Sequence, residues 1–154
     1  MKKNQITIQQ AVTINKPRDV VWDFTQDYSL RTKWDRGVIE AIVLQTSPHR
    51  IVKLKTRGNT TMTFVYKLDE RPNRTSLAAR DILSPLIIAA GGSWLYEENE
   101  GATLWTQTNT IVFKKNILTR IFLPIFKRIF TLQTISAMKK AKEELENEPV
   151  VCAP

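Results

Sequence analysis

The chain has 154 residues, of which 42% are hydrophobic, and it carries a formal net charge of +8 at pH 7. This length suits one globular domain with a sizeable core, so we expect a single domain over residues 1–147 and a flexible tail over residues 148–154. One histidine and one cysteine, Cys152, leave few ligands for a transition metal and allow no internal disulfide. We therefore expect no metal site, no cofactor and a reducing compartment.

The positive charge favours acidic partners, such as nucleic acid, anionic lipid or an anionic ligand. The alternative, which the scattered basic residues favour, is that the charge only keeps the protein soluble. The basic residues are scattered and lack the interleaved aromatic residues or recognition motif typical of nucleic-acid binding, so no nucleic-acid partner is expected. The sequence shows neither a signal-like apolar segment at the start nor the ~18 uninterrupted apolar residues that a bilayer span requires. This predicts a cytoplasmic protein, and no feature predicts its oligomeric state.

One strand and two short helices are predicted at the start of the chain. Apolar residues recur at even positions between Gln5 and Asn15, the period-2 pattern of a half-buried strand. Pro17 and Asp19 then indicate a helix start, because proline suits a first turn and a helix N-terminus favours negative charge. A second short helix is predicted from Leu30 to Trp34.

The chain after Gly37 reads almost entirely as strands separated by turn residues. Short turns join antiparallel neighbours, so these strands should form a meander. Gly91 and Gly92 inside one strand predict a bulge or sharp bend that lets the sheet curl. The predicted strands are Val38–Thr46, His49–Thr56, Thr60–Leu68, Thr75–Leu83, Ile88–Glu97 and Thr103–Phe113.

A long amphipathic helix is predicted from Asn116 to Asn147. Pro124 lies inside it and should kink it or mark a second start. Beyond Ser136 the sequence is rich in strong helix formers with opposite charges at i,i+4 spacing, which predicts a more solvated rod. The wide apolar arc expected to cover the sheet comprises Phe122, Ile125, Phe126, Ile129, Leu132 and Ser136.

These elements predict an α+β fold in which a curved seven-stranded antiparallel sheet wraps around the long C-terminal helix, with two short helices after the first strand. Each large apolar side chain buried between the layers would contribute about 1.5–3 kcal/mol. A curved sheet and a long helix do not close completely on each other. A cavity left between them is the expected binding site.

Several stretches resemble the START-like (SRPBCC) superfamily. Ile14–Trp22 is similar to the entry into that family's first short helix, and the segments Asp27-Tyr28 and Lys33–Asp35 also fit its pattern. Gly101–Leu104 resembles its last hairpin and Met138–Glu146 the end of its long helix. The resemblance covers almost the whole chain and is greatest to the polyketide cyclase/dehydrase and lipid transport branch. It implies the Bet v 1-like helix-grip fold and an apolar cavity, but no invariant catalytic motif.

Candidate ligand-binding residues follow from strand alternation and from the helix arc. Gln107 and Asn109 are polar groups on an otherwise apolar wall, and with the Tyr66 hydroxyl they could orient a ligand carbonyl or hydroxyl. Alternatively, they bond buried backbone or water. The predicted ligand-binding residues are Trp34, Met62, Phe64, Tyr66, Arg80, Trp105, Gln107, Asn109, Phe122, Ile125, Phe126 and Ile129.

Arg80 and Asp81 are adjacent in one strand, so only one of them should face inward. An inward Arg80 would attract a carboxylate or enolate, and an inward Asp81 could act as a base. The alternative is a paired charge at the sheet surface, since charges are seldom buried. His49 follows Pro48 in a turn and is interpreted as a solvated residue.

The favoured function is binding of a hydrophobic small molecule, such as a lipid, isoprenoid or polyketide-like compound. One alternative is a polyketide cyclase or dehydratase, in which Tyr66, Arg80, Asp81, Gln107 or Asn109 would position an enolate or move a proton. Another is a peripheral membrane or partner-binding module, in which Arg120 and Lys127 beside the apolar arc meet an anionic membrane surface. A core role for the arc is favoured because the sheet otherwise has no cover.

Overall fold

The structure is a computed structural model that describes residues 4–147. It confirms the predicted α+β helix-grip architecture, with seven strands, two short helices and a long C-terminal helix. The predicted tail over residues 148–154, including Cys152, lies outside the described residues. The elements are β1 Gln5–Ile14, α1 Arg18–Gln26, α2 Arg31–Trp34, β2 Val38–Gln45, β3 Ile51–Thr56, β4 Thr60–Glu70, β5 Arg74–Leu83, β6 Ile87–Asn99, β7 Ala102–Phe113 and α3 Ile117–Glu146.

The seven strands form one antiparallel sheet in the order β1-β7-β6-β5-β4-β3-β2. Strands β2 to β7 follow one another as a meander, as the short turns predict, and β1 returns beside β7. The β6–β7 loop is the two-residue pair Glu100-Gly101, with φ values of 52° and 78°. Positive φ at both loop residues matches the right-handed twist of the flanking strands, which closes the hairpin tightly.

Strands β5 and β6 separate partway along their length. Their pairing runs from Arg74 opposite Leu95 to Ala78 opposite Gly91, whereas the earlier residues of β6 pair with β7 alone. A Cβ on Gly91 would lie 3.1 Å from the Leu77 carbonyl oxygen, so glycine permits the close approach at the point of separation. The register shift in β6 falls between Ile87 and Ala89 rather than at the glycines.

The second half of α3 forms the main contact with the sheet. Ala137, Met138, Ala141 and Leu145 are buried in one cluster with the tryptophans of the core. The prediction that α3 is a more solvated rod beyond Ser136 is therefore wrong. Small alanine side chains let the helix backbone approach the bulky core. Lys142 and Glu146 at the end of the helix also reach the sheet side, where they hydrogen-bond the backbone of Thr13 and Asn15 at 2.6 and 2.8 Å.

The first half of α3 buries much less of its apolar arc than predicted. Phe122, Ile125, Ile129 and Leu132 are 43%, 52%, 45% and 56% exposed. A helix that contacts a sheet on one side covers only part of its circumference, and this arc is wider than the covered part. The side chains that pack inward are Leu123, Phe126 and Phe130, which contact the cluster around Phe113.

The start of α3 is held by a capping box. The Asn116 side chain accepts a hydrogen bond from the Thr119 backbone N–H at 2.7 Å, and the Thr119 hydroxyl accepts one from the Asn116 backbone N–H at 3.3 Å. These bonds satisfy donors that a helix start leaves free. The helix then runs without interruption past Pro124 to Glu146, so the proline does not mark a second start.

Candidate ligand-binding cavity

A cavity of about 420 Å³ lies between the inner face of the sheet, α2 and α3. Its walls are mainly aliphatic and aromatic, with side chains from strands on both sides of the β5–β6 separation. The volume falls within the range of small-molecule sites, about 300–1,000 Å³. Seven of the residues predicted from the sequence line it: Trp34, Met62, Phe64, Gln107, Asn109, Phe126 and Ile129.

Three predicted residues lie on the surface instead. Phe122 and Ile125 are on the exposed side of α3, because the arc exceeds the covered part of the helix. Arg80 is exposed, and its Nε donates to Asp81 Oδ2 at 2.9 Å. In the pairing of β4 with β5, Thr63 faces Asp81 and Phe64 faces Ala79, which leaves Arg80 as the extra residue of a bulge. The bulge breaks the alternation, so Arg80 and Asp81 both reach solvent and neither faces the cavity.

Two further predicted residues are buried but do not line the cavity. Trp105 is fully buried and packs against Trp34, Trp94 and Tyr96, with ring centroids 5.7, 5.3 and 6.2 Å away. Tyr66 is 2% exposed and belongs to a network of buried hydroxyl and amide groups. Both face inward as the alternation predicts. Sequence alternation identifies the inner face of a strand, but it does not distinguish cavity wall from solid core.

The Tyr66 network adjoins the cavity through Tyr28, and hydrogen bonds join its side chains in one chain. The Tyr66 hydroxyl bonds the Tyr28 hydroxyl and donates to Gln26 Oε1 at 2.9 Å, while Gln26 Nε2 donates to the Tyr96 hydroxyl at 2.9 Å. Arg50 also donates to Gln26 Oε1, at 2.7 Å. Burial raises the pKa of Tyr66 well above its usual value, and burial likewise raises the pKa of Tyr96. Tyr66 therefore stays protonated at neutral pH, which gives it no role as a base there.

Gln107 and Asn109 form a polar strip on the β7 wall. Asn109 Nδ2 donates to Gln107 Oε1 at 3.2 Å, so the two amides orient each other. Gly92 on the neighbouring strand makes room for them, because a Cβ there would lie 2.4 Å from Asn109 Oδ1. An amide pair on an apolar wall can hydrogen-bond a ligand oxygen or hydroxyl group.

Arg31 in α2 is a cavity residue that the sequence analysis missed. Its side chain is only 6% exposed, and its Cζ lies 5.1, 4.7 and 4.8 Å from the ring centroids of Tyr28, Trp34 and Trp94. A sequence signal exists, because Tyr28 and Trp34 are each three residues from Arg31, a spacing that makes neighbours in helical turns. Asp35 and Arg57 are the other charged residues in the cavity wall.

Within residues 4–147, no group of three or more His, Cys, Asp or Glu side chains is placed to hold a metal ion.

One side of α3 between Ile117 and Ile135 carries a row of exposed apolar side chains, which we call the apolar sector. It borders the cavity, since Ile129 belongs to both. By length and composition alone α3 could cross a membrane, and only 11% of its most apolar 18-residue stretch is buried. The packing of its second half into the sheet core makes α3 part of the helix-grip fold. The apolar sector comprises Ile117, Leu118, Ile121, Phe122, Ile125, Ile129, Leu132 and Ile135.

Comparison with known proteins identifies the fold. No family model and no curated protein matches the sequence. Among solved structures, the Zhui aromatase/cyclase from Streptomyces sp. R1128 superimposes with a TM-score of 0.80 and 14% identity, over 92% of this chain and 94% of its own. A START superfamily protein from Mycobacterium smegmatis has a TM-score of 0.75 and 9% identity, over 91% of this chain and 97% of its own. Ara h 8.0201 has a TM-score of 0.70 and 10% identity, over 94% of this chain and 99% of its own.

The chain thus has the START-like (SRPBCC) helix-grip fold expected from its sequence motifs. An aromatase/cyclase and a START superfamily protein share this fold. Identities of 9–14% extend no further than the fold.

Proposed function

We propose that this protein binds one hydrophobic small molecule, such as a lipid, isoprenoid or polyketide-like compound, in the cavity between the sheet and α3. The observation that carries the proposal is the cavity of about 420 Å³, whose wall is mostly apolar and includes a minority of polar side chains. Transfer of the ligand's apolar surface from water supplies the affinity, at about 25 cal/mol per Å². The Gln107–Asn109 pair orients the ligand's oxygen groups.

The cyclase or dehydratase alternative receives less support from the residues. Of its five candidate groups, Arg80 and Asp81 are exposed and Tyr66 is held protonated in a buried network. Only Gln107 and Asn109 remain in the cavity wall, and neutral amides bind and orient but do not exchange protons readily near neutral pH.

A matched pair of variants tests the binding proposal. Ala90 lines the cavity, whereas the preceding Ala89 on the same strand is exposed. Binding of the neutral apolar dye N-phenylnaphthylamine is followed by fluorescence, and native mass spectrometry identifies any ligand retained by protein from its own host. Ala90→Phe places a phenyl ring in space that the dye would occupy, so it should weaken dye binding at least about tenfold, which is about 1.4 kcal/mol, while Ala89→Phe leaves it unchanged. A folded protein that retains no ligand and binds no dye would contradict the proposal.

A second candidate function is docking of α3 on an anionic membrane. The observation that favours it is the apolar sector, which is bordered by the exposed basic residues Arg120, Lys127 and Arg128, with Lys114 and Lys115 just before the helix. No acidic residue occurs between Lys114 and Lys142. Exposed apolar side chains beside basic ones are typical of helices that lie in the interface of an anionic membrane. This would make the protein peripheral to the membrane rather than freely cytoplasmic.

Vesicle co-sedimentation tests the docking proposal. The full chain should bind vesicles containing phosphatidylserine better than vesicles of phosphatidylcholine alone, and added salt should weaken the binding. Leu118→Ser in the apolar sector, 61% exposed, should reduce binding, whereas Leu95→Ser on β6, 41% exposed, should not. Equal losses from both variants, or no preference for the anionic lipid, would refute docking through this sector.

A further inference from the structure

The Arg31 guanidinium is almost enclosed by protein and lacks hydrogen-bond acceptors. Its Nε and Nη1 are buried with no partner among residues 4–147. The nearest carboxylate oxygen, Asp35 Oδ2, lies 3.6 Å from Nε, which is beyond hydrogen-bonding distance. The other oxygen of Asp35 accepts from the Gly37 backbone N–H at 3.1 Å. A charged group left in this condition is costly, because burial removes water without replacing its hydrogen bonds.

Three aromatic rings surround the guanidinium and restrict where a further partner can lie. Tyr28, Trp34 and Trp94 each place a ring within 5.1 Å of the Cζ atom. Ring contacts stabilise the cation but supply no oxygen or nitrogen acceptor for its N–H groups, which point outward in the guanidinium plane. The missing acceptor therefore has to approach the edge of the group, and Arg31 is part of the cavity wall.

The charge of the wall favours an anion as that acceptor. Arg31 and Arg57 are the cations that line the cavity, and Asp35 is the acidic residue among its lining residues. Arg57 is exposed, so Arg31 and Asp35 are the charged groups in the enclosed part of the wall. Attraction between an anion and Arg31 is stronger there than in water, because burial lowers the local dielectric. A carboxylate oxygen is a strong acceptor for a guanidinium N–H, because both groups carry a full charge.

We propose that the ligand is an apolar carboxylic acid, whose carboxylate binds Arg31 while its hydrocarbon part lies against the aliphatic and aromatic walls. This inference rests on the proposed function, since it names the class of molecule that the same cavity takes. It assigns Arg31 as the residue that selects an acid over a neutral molecule of the same shape. Gln107 and Asn109 serve any further oxygen groups of the ligand.

Titration calorimetry with decanoate, decanol and methyl decanoate tests the selection. These probes share one hydrocarbon chain and differ in the charge of the head group. Charge-assisted hydrogen bonds in a desolvated site predict roughly 10- to 100-fold tighter binding of decanoate than of decanol to the wild-type protein. Arg31→Met should abolish that preference while binding decanol within about threefold of wild type. Arg80→Met, the same change at an exposed arginine outside the cavity, should leave the preference intact.

The outcomes separate the two proposals. Equal binding of decanoate and decanol to the wild-type protein, or an unchanged preference in Arg31→Met, overturns the acid proposal and leaves hydrophobic binding in place. Failure of all three probes to bind overturns both. If Arg31→Met does not fold, Arg31→Lys replaces it. A lysine keeps the charge but not the planar edge, so the preference for decanoate should fall several-fold, and an undiminished preference would refute the assignment.

Discussion

Replacing Leu145 with alanine should destabilise the protein far more than the same change at Leu132, although both lie on α3. Leu145 is 1% exposed and packs in the tryptophan-rich core, whereas Leu132 is 56% exposed. Truncating a fully buried leucine removes its transfer free energy and leaves a cavity, at a cost of about 2–5 kcal/mol. Leu132→Ala should change the free energy of unfolding by no more than about 0.5 kcal/mol, because the side chain is mostly in water already.

Urea unfolding followed by circular dichroism measures both effects. The slope of the unfolding free energy against urea concentration should be the same in both variants as in the wild type. The comparison tests whether the second half of α3, rather than its more apolar first half, carries the packing on the sheet. Similar losses at the two positions would refute this, since they would mean that the apolar sector is covered in the folded protein. If the loss of stability in Leu132→Ala depends on protein concentration, a second copy of the chain covers the apolar sector.

Two further predictions concern the inner face of the sheet. Gly92→Ala should destabilise the protein by about 1–3 kcal/mol and alter ligand affinity. The reason is that the new Cβ would lie 2.4 Å from Asn109 Oδ1 and would push the Asn109 side chain away from Gln107. An unchanged unfolding curve together with unchanged ligand binding would contradict this prediction. The free energy of unfolding should fall as pH rises above about 10. Tyrosines in the unfolded chain ionise in that range, whereas Tyr66 and Tyr96 stay neutral in the folded protein because burial raises their pKa values. Tyr96→Phe removes one of these groups, so its loss of stability at high pH should be smaller. Unfolding free energies are measured from pH 8 to 11. An equal fall in wild type and variant would exclude buried tyrosines as the cause.

Local sequence was sufficient to predict most elements of the fold. Alternation with period two marked β1 and the meander, and turn residues such as Glu100-Gly101 marked where strands end, because both signals depend on the conformations of neighbouring residues. The inward faces of β4 and β7 followed from the same alternation. Alternation gave the wrong orientation for Arg80, because a bulge interrupts β5 there. The bulge depends on how β5 pairs with β4, so the sequence of β5 alone does not reveal it.

The sequence by itself determined that this chain forms seven strands and a long apolar helix, since periodicity and turn chemistry act over a few residues. Only the tertiary structure decided which apolar residues are core, which line the cavity and which stay exposed. The apolar arc of α3 is wider than the surface available to cover it, so packing left Ile125 outside and brought Ala141 inside. The tertiary structure likewise enclosed Arg31 among aromatic rings, two of them nearby in sequence and the third, Trp94, brought from a distant strand by folding.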